Sequence, residues 1–250
     1  MLCLTLFEKT TSIVNLYLLS HKYFLMPISK DFHDYFSEYS YRMDDPEYRR
    51  IYEKMWDDGY KLGEYGKALE NFESLSTEKL FSILLDIGKW KAGERWYKKG
   101  YDEYWNHETI KRVLDVITSE NSDRERIKAF GWGIKGFNKR TGSAVLTVVY
   151  PDQYGILDYK VWRALNHRWS REYDLDIECE QKNKGKCPGC YESNRCRYKL
   201  GASNSKPFNL AECDQYFDGI RTIGRGENMN PRQVDMALWE YDSQKSSCFK

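Results

Sequence analysis

The chain has 250 residues, 41% of them hydrophobic, and a formal net charge of +1. That is enough apolar material for one large domain, or a two-lobed one, to fold without covalent help, which sets aside the disordered and small disulfide-stapled classes. The balanced charge neither demands nor forbids a polyanionic partner, because phosphate binding needs a local cluster of Lys and Arg rather than a basic total.

The N-terminal stretch MLCLTLFEKTTSIVNLYLLSHKYFLMPISK has two apolar runs. Glu8 and Lys9 interrupt the first, and neither approaches the roughly 18 to 20 residues that span a bilayer. It also lacks the basic region and cleavage site of a secretory signal. Met1 and Met26 are both candidate starts, and residues 1–45 are read as an extension of uncertain structure. The expected location is intracellular, either cytoplasmic or nucleoid-associated.

From Pro46 onward the pattern is helical. Tyr48, Ile51, Tyr52 and Met55 recur at helical spacing, and Gly59, Gly63 and Gly66 loosen the segment that follows. Ser76 caps a helix whose apolar stripe is Leu80, Phe81, Leu84, Leu85 and Ile87. Ile110, Val113, Leu114 and Ile117 mark the next helix, and Ser122 with Glu125 has the arrangement of a capping box. Near the C-terminus, Asn230 and Pro231 open a helix that places Val234, Ala237 and Leu238 on one face. With no βαβ rhythm and no repeat, the fold class is all-α.

The chemistry concentrates in IKGFNKRTGSAVLTVVYPDQYGILDYKVWRAL, residues 134–165. Gly136 and Asn138 are the residue types that most readily take left-handed backbone angles, and Phe137 between them can anchor a tight turn. Asn138 can cap the following helix, whose free amides and dipole favour phosphate, and Lys135, Lys139 and Arg140 add positive charge. Gly142, Ser143 and Ala144 permit a close approach by another helix. No P-loop pattern is present.

Four cysteines in C-x7-C-x2-C-x5-C spacing, Cys179, Cys187, Cys190 and Cys196, form a metal or cluster candidate. Four thiolates ligate either zinc or iron–sulfur. Lys182, Lys184, Lys186, Arg195, Arg197 and Lys199 make the same loop a second candidate phosphate contact.

The block around Gly136 resembles the helix-hairpin-helix and aspartate motif of the endonuclease III-type DNA glycosylases, whose hairpin reads LPGVGxKTA. The resemblance covers about 35 residues, and the flanking helices more loosely. It places Gly136 on the first hairpin glycine, Thr141 on the motif threonine and Asp158 on the catalytic aspartate. It implies a two-lobed helical fold with a Cys-rich insertion and divides the chain into helical lobes over residues 46–178, the loop over 179–198 and closing helices over 199–250. The implied partner is double-stranded DNA, bound by a monomer through Lys135, Gly136, Asn138, Lys139, Arg140 and Thr141.

The chemistry implied by the resemblance is hydrolysis of the N-glycosidic bond of a damaged or mismatched base. Asp158 stabilises the positive charge that builds on the sugar, and Arg140 is the second catalytic candidate. Arg140 stands where strand-cleaving members carry a lysine, and a guanidinium is a poor amine nucleophile, so base release without lyase activity is expected. Lys139 is offset by about 100° around the helix. Trp90, Lys91, Trp132 and Trp162 are the candidates for the base pocket. The Cys loop is close to the C-x6-C-x2-C-x5-C loop that holds a [4Fe-4S] cluster in this family, which favours that cluster over zinc. In the family, however, the loop follows the helix that VDMALWEYD resembles, whereas here it precedes that helix.

Two other readings compete. One is a helix-hairpin-helix DNA-binding protein that has lost catalysis, and the other is a zinc-ribbon interaction module on an unrelated helical scaffold. A cleft with Asp158 at its mouth favours the glycosylase, and a buried or salt-bridged Asp158 favours the others.

Overall fold

A computed structural model describes residues 28–57, 61–119, 121–169, 172–175 and 207–247. These residues are mostly helical, in agreement with the all-α expectation. The longer helices are α1 (Ile28–Ser37), α2 (Pro46–Met55), α3 (Glu64–Glu70), α4 (Thr77–Ala92) and the single turn α5 (Glu94–Tyr97). They are followed by α6 (His107–Thr118), α7 (Asp123–Ala129), α8 (Lys139–Val149), α9 (Tyr159–Ala164), α10 (Leu210–Glu227) and α11 (Pro231–Ser247). Among the described residues, extended pairing is limited to the two-residue antiparallel strands Trp56–Asp57 and Lys61–Leu62. They lie in the stretch that the glycines Gly59, Gly63 and Gly66 loosen.

The helix starts follow local chemistry. The Asp45 carboxylate accepts the amides of Glu47 and Tyr48 ahead of Pro46. Ser76 accepts the amide of Lys79, Ser122 and Glu125 form a reciprocal capping box, and Asn230 and Gln233 do the same at α11. Helix α4 stops at Ala92 because Gly93 turns to a φ of 85°.

Helix α8 is the centre of the molecule: every residue from Thr141 to Val149 is buried. Helices α3, α4 and α7 pack around it. Each fully buried valine or leucine there contributes about 1.5–3 kcal/mol relative to exposure. Gly142 serves this packing in an unexpected way, since a Cβ there would lie 2.3 Å from the ring of Phe130, a side chain rather than a second helix backbone.

The second group of helices is built on α11, which packs against α1, α9 and α10. Helix α1 and the segment after it, which the sequence places in an extension of uncertain structure, belong to this core. Phe32 is fully buried with its ring edge-on to Trp169, and Tyr39 and Tyr41 pack on Trp239. No helix among the described residues is long and apolar enough to cross a membrane.

Candidate active site

The hairpin between α7 and α8 turns where the glycine demands it. Gly136 has a φ of 91°, and a Cβ there would lie 2.4 Å from the Tyr101 ring, so a side chain is excluded both by conformation and by space. Asn138 does not share the left-handed conformation. Its φ of −112° and ψ of −177° are extended, as a cap residue requires, and its side chain accepts the amides of Arg140 and Thr141. Those two amides are therefore occupied by the cap rather than free for phosphate.

Two indoles fix the turn from below. The Nε1 of Trp96 donates to the carbonyl of Gly136 at 2.9 Å, and that of Trp105 donates to the carbonyl of Lys135 at 2.8 Å. Phe137 is buried among Trp96, Trp105 and Phe130, which is the anchoring role its apolar side chain predicts.

The basic residues of the hairpin diverge. Lys135 is exposed and holds its ammonium 3.4 Å above the ring centre of Tyr104. Lys139 turns aside and donates to the carbonyl of Phe208 at 2.9 Å. Arg140 turns inward, lies 4.2 Å over the Tyr159 ring and reaches within 3.7 Å of Asp158 Oδ2. Thr141 is buried. Lys135 is thus the one of these cations best placed to meet a polyanion.

Asp158 is the N-cap of α9, and its Oδ1 accepts the amide of Lys160 at 3.0 Å. The backbone leading to it is held from three helices. Ser143 of α8 accepts the amide of Leu157 at 2.8 Å while its hydroxyl donates to the carbonyl of Arg140. Asp235 of α11 accepts the amide of Ile156 at 3.2 Å, and the Tyr216 hydroxyl of α10 donates to the Ile156 carbonyl at 2.7 Å. Asp235 is in turn paired with Arg232, whose guanidinium lies over the rings of Trp56, Tyr39 and Trp90.

The second oxygen of Asp158 accepts a hydrogen bond from Lys91 Nζ at 2.7 Å. Lys91 is in the last turn of α4, and both side chains are more than nine-tenths buried. Burial alone raises the Asp158 carboxyl, but the opposing charges of Lys91 and Arg140 and the hydrogen bonds from Lys91 and the Lys160 amide hold it at about 2. Burial lowers the Lys91 amine, with Arg140 acting in the same direction and Asp158 opposing. Asp158 is a carboxylate at any ordinary pH.

A narrow recess opens beside this pair. Its walls are Tyr39, Tyr41, Trp90 and Trp239, and Lys91, Asp158, Arg232 and Asp235 also line it. Trp90 Nε1 and Arg232 Nε are buried donors with no hydrogen-bond partner among the described residues. The recess has room for about one water molecule, so Asp158 does not stand at the mouth of a cleft; it is buried and salt-bridged, the feature that the sequence assigns to the readings other than the glycosylase.

Of the four pocket candidates, Trp90 and Lys91 line the recess. Trp162 is instead buried with its ring against Phe208, and the side chain of Trp132 lies outside those described. Sequence reasoning did not find Arg232, Asp235, Tyr39 or Tyr41. The first two signalled themselves only as charges next to the apolar face of Val234, Ala237 and Leu238 on the C-terminal helix. Cys179, Cys187, Cys190 and Cys196 lie outside the described residues, and among the described residues no group of three or more His, Cys, Asp or Glu is arranged to hold a metal. Comparisons of the chain with family models, curated proteins and solved structures find no match.

Proposed function

We propose that this protein is a base-excision DNA glycosylase that hydrolyses the N-glycosidic bond of a damaged or mismatched base in double-stranded DNA. The observation that supports this best is the meeting of the hairpin helix and the acid: Arg140 on the first turn of α8 lies 3.7 Å from Asp158, which opens onto an aromatic-lined recess. The aromatic walls suit a planar group, but the recess has room for about one water molecule, so a base enters only once the walls part. A carboxylate already ionised is the group needed beside a sugar that gains positive charge.

In this reading the duplex is gripped through the exposed face of the hairpin, with Lys135 contributing charge, and the target nucleotide leaves the stack. Asp158 then stabilises the oxocarbenium-like transition state and orients the attacking water. The bond from C1′ to the base breaks with its electron pair leaving on the base, water supplies the oxygen at C1′, and the proton that this water gives up goes to the departing base. Because the recess is narrow and Asp158 is only 5% exposed, the walls must part to admit the sugar. Arg140 supplies no amine, so the product is an intact strand with an abasic site. Four thiolates at Cys179, Cys187, Cys190 and Cys196 would hold a [4Fe-4S] cluster or zinc outside this chemistry, with the cluster preferred.

One observation favours a second reading. Both oxygens of Asp158 already have partners and the residue is closed to solvent, as in a DNA-binding protein that has kept the hairpin and lost catalysis. A screen of duplexes that each carry one lesion or mismatch, developed with alkali to reveal abasic sites, separates the two. Base release from at least one duplex is expected, and binding without any release would select the non-catalytic reading.

A further inference from the structure

Resting on the glycosylase reading, we propose that Lys91 is a positioning residue for Asp158, fixing the carboxylate's charge and its aim toward the recess. The contact joins helices that are far apart in sequence: 67 residues separate the two partners, and the Nζ to Oδ2 distance is 2.7 Å. Three further observations assign it this role.

First, Lys91 is held at its backbone and at the tip of its side chain. Its own carbonyl accepts the Tyr41 hydroxyl at 3.0 Å, and its ammonium faces Asp158 from within the recess wall. Second, the division of labour on the carboxylate is complete. The Lys160 amide holds Oδ1 from the same helix, Lys91 holds Oδ2, and Arg140 stands farther off at 3.7 Å. Lys91 is the closer of the two side-chain cations and fixes the rotation of the carboxylate about its own axis. Third, the Lys91 Nζ donates to Asp158 and its side chain is more than nine-tenths buried, so its polar end is committed to the acid.

The charged and titratable groups around Asp158 come from every neighbouring element. They are Lys91 of α4, Arg140 of α8, Lys160 of α9, Tyr39 and Tyr41 after α1, Tyr216 of α10, and Arg232 and Asp235 of α11. Without Lys91, the burial that favours the neutral acid is opposed mainly by Arg140 and the Lys160 amide. The carboxyl should then titrate higher.

The test compares wild-type protein with Lys91→Met, Lys91→Gln and Lys91→Arg on a lesion duplex that the wild type processes. Base release is followed in single-turnover mode at pH 7, and the Asp158 carboxyl, held at about 2 in the wild type, is titrated by carbon-13 NMR. The uncharged variants should lose about tenfold or more in rate, and their carboxyl titration should move up by about one pH unit or more. Lys91→Arg should restore both. Lys91→Gln keeps a hydrogen-bonding group and serves if the Met variant does not fold. A slower rate with an unmoved carboxyl titration would mean mere structural support and overturn the proposal. So would a borohydride adduct formed by the wild type but not by Lys91→Gln, which would make Lys91 a nucleophile. If the wild type releases no base from any duplex, the glycosylase reading itself fails. A carbon-13 titration of the Asp158 carboxyl in the wild type and Lys91→Gln then still decides whether Lys91 holds that charge.

Discussion

Arg140 and Asp158 face each other at 3.7 Å, although one belongs to the first turn of α8 and the other caps α9. The hairpin and the acid are thereby one electrostatic unit, completed by Lys91. Its stability and its chemistry can be tested separately.

The buried pair should show strong coupling. Breaking a buried ion pair by removing one partner costs about 3–5 kcal/mol, because the other charge is left uncompensated. Asp158→Asn and Lys91→Met should each destabilise the protein by about that amount, moderated in the first by the capping ability of asparagine and in the second by Arg140. The double variant should lose clearly less than the sum of the two. Urea unfolding of all four proteins measures the coupling, and additive losses would show that the contact contributes nothing.

The pH dependence of stability follows from the same group. The Asp158 carboxyl is held at about 2 in the fold, below the roughly 3.9 of an unfolded aspartate. As the pH falls, the unfolded chain takes up the proton first, so stability is lost through that window. The contribution is fully present above about pH 4 and is gone below about pH 2. Unfolding of the wild type at a series of pH values should therefore steepen between these limits relative to Asp158→Asn. Identical slopes would remove Asp158 as the source.

The hairpin predicts a glycine requirement. Gly136→Ala forces a Cβ into the Tyr101 ring at a φ of 91°, and should cost about 1–3 kcal/mol in thermal or urea unfolding. A variant as stable as the wild type would mean that the turn relaxes freely.

The local features of this fold were legible in the sequence and the distant ones were not. Ser76, Ser122, Asn138 and Asn230 announce helix starts because a cap is decided by neighbours two or three residues away. Gly136 announces its turn for the same reason. The indoles that hold the turn from below, Trp96 and Trp105, are 40 and 30 residues from their acceptors, a pairing that only packing creates. Lys91 was a pocket candidate on sequence, but nothing in the chain indicates that its partner is Asp158. Helical spacing at Tyr48, Ile51, Tyr52 and Met55 marks α2, and Gly59, Gly63 and Gly66 mark the loosening after it, but the short antiparallel pair that forms there before α3 was not visible.

DNA binding should rest on the exposed face of the hairpin. Lys135→Glu should weaken duplex binding by about an order of magnitude, given roughly 1 kcal/mol or more for a lost charge-assisted contact, and affinity should fall steeply with salt. Titrations at several salt concentrations measure both. Unchanged affinity would remove the hairpin from the interface.

The central claim is that Asp158 acts in the transition state of base release. Its most direct test is single-turnover base release by wild-type and Asp158→Asn proteins on a processed lesion duplex, with duplex affinity and circular dichroism measured in parallel. The account predicts that Asp158→Asn stays folded, binds DNA nearly as well and releases base slower by about 10² or more. The wild type should leave strands that break only with heat or alkali, with no borohydride adduct. Equal rates of base release by the two proteins would contradict it.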